Sequence, residues 1–201
     1  MIKAIIFDMG GVILTSKIEN ILQQVAKSLD VPAESLMEIR AQNKEALWDG
    51  KMSVRDFAAL LKKKHSLKQS VAQILSIWKS TYLKATVPNT EMVAIAGKLM
   101  KMYKVGMISN LWDFHVTINK ERGLYKGFDP CVLSCKVGIH KPQKKIFELA
   151  LNKSGMKGDE CVFIDDREEY FPIAQSLGMK TIAFCNASQM VVELKKLGVE
   201  V

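Results

Sequence analysis

The sequence is poor in metal-binding cysteine and histidine patterns, and it has no long apolar run. Its 201 residues include 4 cysteines and 3 histidines, with no Cys-x-x-Cys spacing, which argues against a structural zinc site. A membrane-spanning helix would need about 20 apolar residues in succession, and none occur. The N-terminus also lacks the apolar region and cleavage site of a signal peptide. We therefore expect a cytoplasmic protein with no membrane partner.

The charge balance is basic, with 29 Lys and Arg against 21 Asp and Glu and a net charge of +8. Such a balance favours anionic partners in general. The basic residues are scattered, however, and the longest basic run is Lys62-Lys63-Lys64. Because a nucleic-acid surface needs clustered basic residues with aromatic ones among them, we expect no nucleic-acid partner.

Short apolar, β-branched runs predict strands that are buried on both faces, as in a parallel sheet. Four runs are strong and a fifth, over residues 130–134, is weaker; the strong ones are Ala4–Phe7, Val105–Ile108, Cys161–Ile164 and Thr181–Phe184. Helical periodicity fills most segments between them. This alternation predicts an α/β fold with a doubly wound, Rossmann-like parallel sheet.

The segment over residues 15–85 interrupts this alternation, because it has no convincing strand and four helical patterns. One pattern begins at Ser53, where an acid at Asp56 completes a near relative of the capping box. About seventy helical residues after the first strand predict an inserted helical domain. We expect a core domain formed by residues 1–14 and 86–201, and an all-helical cap domain over residues 15–85.

Polar residues follow three of the predicted strands. Asp8 ends the first, Ser109-Asn110 the second and Asp165-Asp166 a third, while Lys141 stands just before a predicted helix. Since ligands bind at the carboxyl ends of strands in an open α/β sheet, these side chains should converge. Carboxylates with a lysine and a hydroxyl suit Mg²⁺ and a phosphoryl group. Trp112 follows closely enough to form a wall of the same pocket.

The same residues also have purely structural interpretations. Asp8 can end a strand before a tight turn, and Ser109-Asn110 and Asp165-Asp166 can cap the helices that follow. Lys141 can be an exposed lysine near a helix start, and Trp112 can be a packing residue. The residues alone leave both sets of interpretations open.

Four short motifs occur in the order seen in the haloacid dehalogenase superfamily, which this sequence resembles over essentially its whole length. They are Phe7-Asp8-Met9-Gly10-Gly11-Val12-Ile13, Ile108-Ser109-Asn110, Gly138-Ile139-His140-Lys141-Pro142 and Phe163-Ile164-Asp165-Asp166. Each motif is weak alone, but four in order are specific. The similar branch, subfamily I, has a helical C1 cap and includes small cytoplasmic phosphatases.

The resemblance implies a hydrolase that acts on a small phosphorylated metabolite, such as a sugar phosphate, as a monomer or homodimer. It implies an aspartyl-phosphate formed on a nucleophilic aspartate, with Mg²⁺ as cofactor. The implied catalytic residues are Asp8, Lys141 and Ser109. The implied phosphate and substrate contacts are Ser109, Asn110, Lys141 and Trp112. The implied metal ligands are Asp8, the Gly10 carbonyl and Asp166, with Asp165 in support.

The sequence departs from the family pattern at Gly10, where related phosphatases usually have an aspartate that protonates the leaving group. Gln143 and Tyr170 also stand where Asp or Asn is common. Two alternatives therefore remain. One is a 2-haloacid dehalogenase, which needs no metal, although its fourth motif generally lacks the acidic pair found here. The other is a catalytically weak binding or regulatory protein.

Overall fold

A five-stranded parallel sheet forms the centre of the computed structural model, which describes residues 1–15 and 18–201. The strand order is β3-β2-β1-β4-β5, and the strands are β1 (Ala4–Phe7), β2 (Lys104–Ser109), β3 (Cys131–Leu133), β4 (Cys161–Asp165) and β5 (Lys180–Ala183). Each predicted apolar run is a strand, so the predicted α/β sheet is confirmed. Strand order reverses between β1 and β4, which places a ligand crevice at their carboxyl ends.

Helices cover the sheet and form the insertion after β1. Their bounds are α1 (Ile18–Leu29), α2 (Ala33–Trp48), α3 (Val54–Lys64), α4 (Val71–Ala85), α5 (Thr90–Leu99), α6 (Asp113–Glu121), α7 (Ser134–Val137), α8 (Lys144–Ser154), α9 (Phe171–Ser176) and α10 (Ala187–Lys196). Short 3₁₀ turns span Gly158–Glu160 and Glu168–Tyr170. Within the described ranges, no helix has the length and apolar content to cross a membrane.

The capping signal at Ser53 is confirmed at the start of α3. Ser53 Oγ accepts a hydrogen bond from the Asp56 amide at 3.1 Å, and Asp56 Oδ2 accepts one from the Ser53 amide at 3.0 Å. Two amides at the helix start thereby gain acceptors. A second reciprocal cap, between Ser70 and Gln73, begins α4.

Helices α1 to α4 share one apolar cluster, whereas α5 packs with the sheet. Met92, Ile95 and Leu99 of α5 belong to the cluster that contains β1 and β2 side chains. The cluster of α1 to α4, called the cap cluster below, is built from residues such as Leu22, Phe57 and Trp78.

Two residues from beyond the insertion complete the cap cluster, Trp112 and Ile118. The Trp112 ring lies 5.3 Å from the Phe57 ring and 5.4 Å from the Trp78 ring, measured between centroids. Helix α6 belongs to the core segment by sequence but packs with both clusters, through Ile118 in the cap cluster and Val116 in the cluster of the sheet.

We expect Ile118→Ala, in α6, to lower the free energy of unfolding by about 2–5 kcal/mol, because it leaves a cavity in the cap cluster. Ile118 is only 1% exposed. Chemical denaturation measures the loss, and limited proteolysis should show faster cleavage within α1 to α4. Val192→Ala is the control, since Val192 is 52% exposed and should change stability by no more than about 0.5 kcal/mol. Unchanged proteolysis of α1 to α4 in the Ile118 variant would contradict the shared packing.

Candidate active site

Asp8 lies at the carboxyl end of the central strand β1. Its amide donates to the Ile164 carbonyl at 2.8 Å, which continues the β1–β4 pairing by one residue. The residue is 7% exposed, and the chain turns immediately afterwards through Gly10 and Gly11. The sheet thus fixes the backbone of Asp8 and presents its carboxylate at the crevice.

The Lys141 ammonium is buried between two carboxylates. Its Nζ donates to Asp8 Oδ1 at 2.7 Å and to Asp165 Oδ2 at 2.6 Å, and the residue is 1% exposed. Burial alone would lower the pKa of Lys141, but the two carboxylates outweigh it and raise the pKa above its usual value. The sequence predicts that the lysine and the aspartates converge, but it does not identify Asp165 as the second partner.

The main chain of Lys141 is held by the Asn110 side chain from the end of β2. Asn110 Oδ1 accepts from the Lys141 amide at 2.8 Å, and Asn110 Nδ2 donates to the Lys141 carbonyl at 2.9 Å. The Asn110 side-chain amide is therefore engaged in positioning Lys141. The phosphate-binding role predicted for Asn110 is therefore left to its main-chain amide.

Three carboxylates, Asp8, Asp165 and Asp166, each place one oxygen within 4.8 Å of the others. Both oxygens of Asp165 are already engaged, one by Lys141 and the other by the Arg167 amide at 2.9 Å. Burial raises the pKa of Asp165, and the negative charge of Asp8 adds to the effect, while Lys141 opposes it. The hard oxygens of Asp8 and Asp166 fit a divalent cation such as Mg²⁺, with Asp165 behind them as a supporting residue.

A cavity of about 510 Å³ opens over these groups. It brings together every predicted site residue except Asp165, which lies behind its wall; the predicted residues that line it are Asp8, Gly10, Ser109, Asn110, Trp112, Lys141 and Asp166. Ser109 is 2% exposed. The predicted side chains therefore do converge in the structure, because the parallel strands that carry most of them end on the same side of the sheet.

An aromatic wall of the cavity centres on His115, which sequence analysis missed. The His115 ring stacks on Tyr82 at 4.3 Å and on Trp112 at 5.1 Å, and its Nε2 accepts from Trp78 Nε1 at 3.2 Å. Burial lowers the pKa of His115 to about 3, so the ring is uncharged at neutral pH. Helical spacing in α6 could have placed His115 on the face of Trp112, but no local signal shows that this face meets the cap.

A second missed residue, His140, joins the core to the cap. Its Nδ1 lies 2.7 Å from Asp49 Oδ1, and its ring lies 5.4 Å from that of Trp48. Burial would raise the pKa of Asp49, but hydrogen bonds from His140 and Lys51 lower it. The residue next to Lys141 is thus anchored to the end of α2.

Tyr170 stands where the family pattern usually has Asp or Asn, and its ring covers the buried ammonium. Lys141 Nζ lies 4.9 Å from the Tyr170 ring centroid and 5.3 Å from that of Phe163. Aromatic faces attract cations at such distances. Tyr170 therefore contributes a cation–π contact to Lys141.

Comparison with known proteins gives one consistent family. A sequence model of the haloacid dehalogenase-like hydrolases matches residues 2–178. The D-ribitol-5-phosphate phosphatase of Bacteroides thetaiotaomicron is 25% identical over 203 residues, which is 96% of this chain and 97% of that protein. The rat bifunctional epoxide hydrolase 2 is 26% identical over 95% of this chain, but the match spans only 38% of the rat protein.

Solved structures show the same fold at low identity. An aspartate-to-alanine mutant of a haloacid dehalogenase family enzyme from Bacteroides thetaiotaomicron, in complex with magnesium and inorganic phosphate, has a TM-score of 0.79 at 23% identity, covering 94% of this chain and 99% of its own. A HAD-like family hydrolase from Porphyromonas gingivalis has a TM-score of 0.80 at 23% identity, covering 100% of both chains.

The two glycines after Asp8 should differ sharply in their tolerance of alanine. Gly11 has φ +85°, and a Cβ there would lie 2.5 Å from Asp166 Oδ2, whereas a Cβ on Gly10 would meet only Asp8 Oδ2 at 4.0 Å. Gly11→Ala should cost about 1–3 kcal/mol of stability and displace Asp166. Thermal denaturation and a crystal structure of each variant measure this, with Gly10→Ala as the matched control. Equal losses from both variants would refute the distinction.

Proposed function

The chain belongs to the haloacid dehalogenase-like hydrolases, and on that premise we propose that it is a Mg²⁺-dependent phosphatase of small phosphorylated metabolites. The observation that carries the proposal is the buried Lys141 ammonium, which bridges Asp8 and Asp165 beside Asp166. The relative named as a D-ribitol-5-phosphate phosphatase and the neighbour in complex with magnesium and inorganic phosphate support phosphate esters as the substrate class.

Asp8 is the proposed nucleophile. Lys141 holds Oδ1, while Oδ2 is turned toward Gly10, where no side chain intervenes. Attack of Asp8 on phosphorus forms an O–P bond and breaks the bond from phosphorus to the leaving oxygen. Water then attacks the aspartyl-phosphate, releases inorganic phosphate and restores the carboxylate.

Asp8, Asp166 and the Gly10 carbonyl are the proposed ligands of Mg²⁺, with Asp165 supporting them through Lys141. Mg²⁺ bound there would offset the negative charge that gathers on the phosphoryl oxygens. Lys141 contributes a fixed positive charge to the same region, and its own carboxylate partners keep it protonated.

Ser109 and the main-chain amide of Asn110 are the proposed donors to the phosphoryl oxygens. Both line the cavity at the end of β2, so the sheet holds them in place before substrate arrives. Such preorganised donors stabilise developing charge without reorganising during the reaction. Trp112 and the other residues of the aromatic wall would contact the part of the substrate beyond the phosphoryl group.

The division into a core of residues 1–14 and 86–201 and a cap of residues 15–85 is part of the proposal. The cavity has walls from both parts, since α1 and α2 contribute residues beside those at the carboxyl ends of β1 and β2. We propose that the cap controls access to Asp8 and selects substrates.

Asp8→Asn should abolish hydrolysis of p-nitrophenyl phosphate measured with Mg²⁺, with a loss of at least about 10³-fold, because an amide oxygen is a poor nucleophile. Asp159→Asn is the matched control. Asp159 is exposed in the 3₁₀ turn before β4, and its variant should retain full activity. EDTA should abolish hydrolysis by the wild type, and added Mg²⁺ should restore that activity. Full activity after exhaustive chelation would contradict the proposed requirement for Mg²⁺.

Gly10 occupies the position of the aspartate that would protonate the leaving oxygen, so this chain has no acid there. A p-nitrophenolate can leave as an anion, whereas an alkoxide leaves poorly without a proton. The wild type should therefore prefer aryl over alkyl phosphates strongly. Space for a carboxylate exists at Gly10, because a Cβ there has no contact closer than 4.0 Å and the backbone is outside the left-handed region.

Gly10→Asp should narrow the aryl-to-alkyl preference by raising kcat/KM for an alkyl phosphate about 10- to 100-fold, part of what a general acid supplies. Gly10→Asn has nearly the same shape but no acidic proton, so it should leave the preference unchanged. Steady-state kinetics with both substrates and all three proteins measure this, with folding checked by circular dichroism. A wild type that cleaves alkyl and aryl phosphates equally well would show that another group already donates the proton.

A further inference from the structure

One cation in the cavity has no assigned partner. Arg40, on α2 of the cap, lines the same cavity as Asp8 and Ser109. Its Nε is buried and has no hydrogen-bond partner among the described residues, and no ion pair joins it to an acid in that part of the chain. Buried polar groups are nearly always paired, so an unpaired guanidinium nitrogen calls for a ligand.

The contacts that Arg40 does make leave its hydrogen-bonding capacity unused. Its Cζ lies 5.6 Å from the centroid of the Trp48 ring, and Trp48 also lines the cavity. A ring face holds the guanidinium plane but accepts no conventional hydrogen bond. The cation–π contact with Trp48 therefore leaves the donors of Arg40 for another group.

A second arginine, Arg167, reaches the cavity from the core. Its Nη2 donates to Glu169 at 2.7 Å, and its Cζ lies 5.3 Å from the Tyr170 ring centroid. Burial lowers the pKa of Arg40; the positive charge of Arg167 does the same, and the exposed Glu19 opposes both. Glu169 already offsets the charge of Arg167, so an anion bound in the cavity would chiefly offset the charge of Arg40.

From these contacts we infer that Arg40 recognises a second anionic group of the substrate, a carboxylate or a second phosphate, with Arg167 assisting. The inference rests on the proposed function, in which Lys141 and the metal neutralise the transferred phosphate. Arg40 then remains for a different anion, and its fork of donors suits two oxygens at once. The substrate class becomes phosphate monoesters that carry a further negative charge.

Three probes with the same three-carbon chain test this: 3-hydroxypropyl phosphate, 3-phosphooxypropanoate and propane-1,3-diyl bisphosphate. Each is measured as a competitive inhibitor of p-nitrophenyl phosphate hydrolysis with Mg²⁺. The wild type should bind at least one doubly anionic probe about 10- to 100-fold more tightly than the hydroxyl probe, as for hydrogen bonds to charged groups. Comparing the carboxylate with the bisphosphate identifies the preferred anion.

Arg40→Gln should reduce that preference to within about threefold, the loss expected for a hydrogen bond to a charged group, and leave inhibition by 3-hydroxypropyl phosphate unchanged. Lys44→Gln is the matched control, since Lys44 Nζ also lies over the Trp48 ring, at 5.1 Å, but does not line the cavity. It should keep the full preference. If Arg40→Gln folds poorly, Arg40→Lys takes its place. It retains the charge but loses the guanidinium's paired donors, so its preference for the doubly anionic probe should be intermediate.

Two results would overturn the inference. One is equal inhibition of the wild type by all three probes. The other is an equal loss of all three in Arg40→Gln, because Arg40 would then hold the transferred phosphate itself. A wild type without p-nitrophenyl phosphate hydrolysis would instead defeat the proposed function, so the two failures are distinguishable.

Discussion

The burial of one ammonium group, that of Lys141, sets the conditions for the whole site. A buried charge is tolerated only with close partners, and Asp8 and Asp165 supply them from the adjacent strands β1 and β4. The three aspartates in turn depend on this cation, because carboxylates so near one another repel. The hydrogen bonds from the Asn110 side chain to the main chain of Lys141 and the ring of Tyr170 over the ammonium help to hold it in place.

Much of the fold could be predicted from the sequence because its signals are local. The run Ala4–Phe7 is apolar throughout, and a strand buried on both faces requires that pattern. The convergence of Asp8, Asn110 and Asp166 followed from the same logic, since parallel strands end at one edge of the sheet.

What the sequence left hidden depends on contacts between distant segments. His140 pairs with Asp49, which is 91 positions away in the sequence. No sequence motif around either residue predicts this contact. His115 looks like an ordinary helix residue in the sequence, and only the structure shows that Tyr82 and Trp112 stack on its ring. No local signal distinguishes Arg40 from the other charged residues of α2, and only the three-dimensional structure shows that its Nε is buried without a partner among the described residues.

The membership of Trp112 and Ile118 in the cap cluster bears on how such a protein can be recombined. A segment exchange that moved only residues 15–85 into a related core would carry the cap away from two side chains that complete its interior. The recipient would have to offer a matching α6, with a branched aliphatic side chain in the helix and an indole on the residue just before it. The transferable unit is therefore discontinuous in sequence, and α6 has to change together with the helices that it supports.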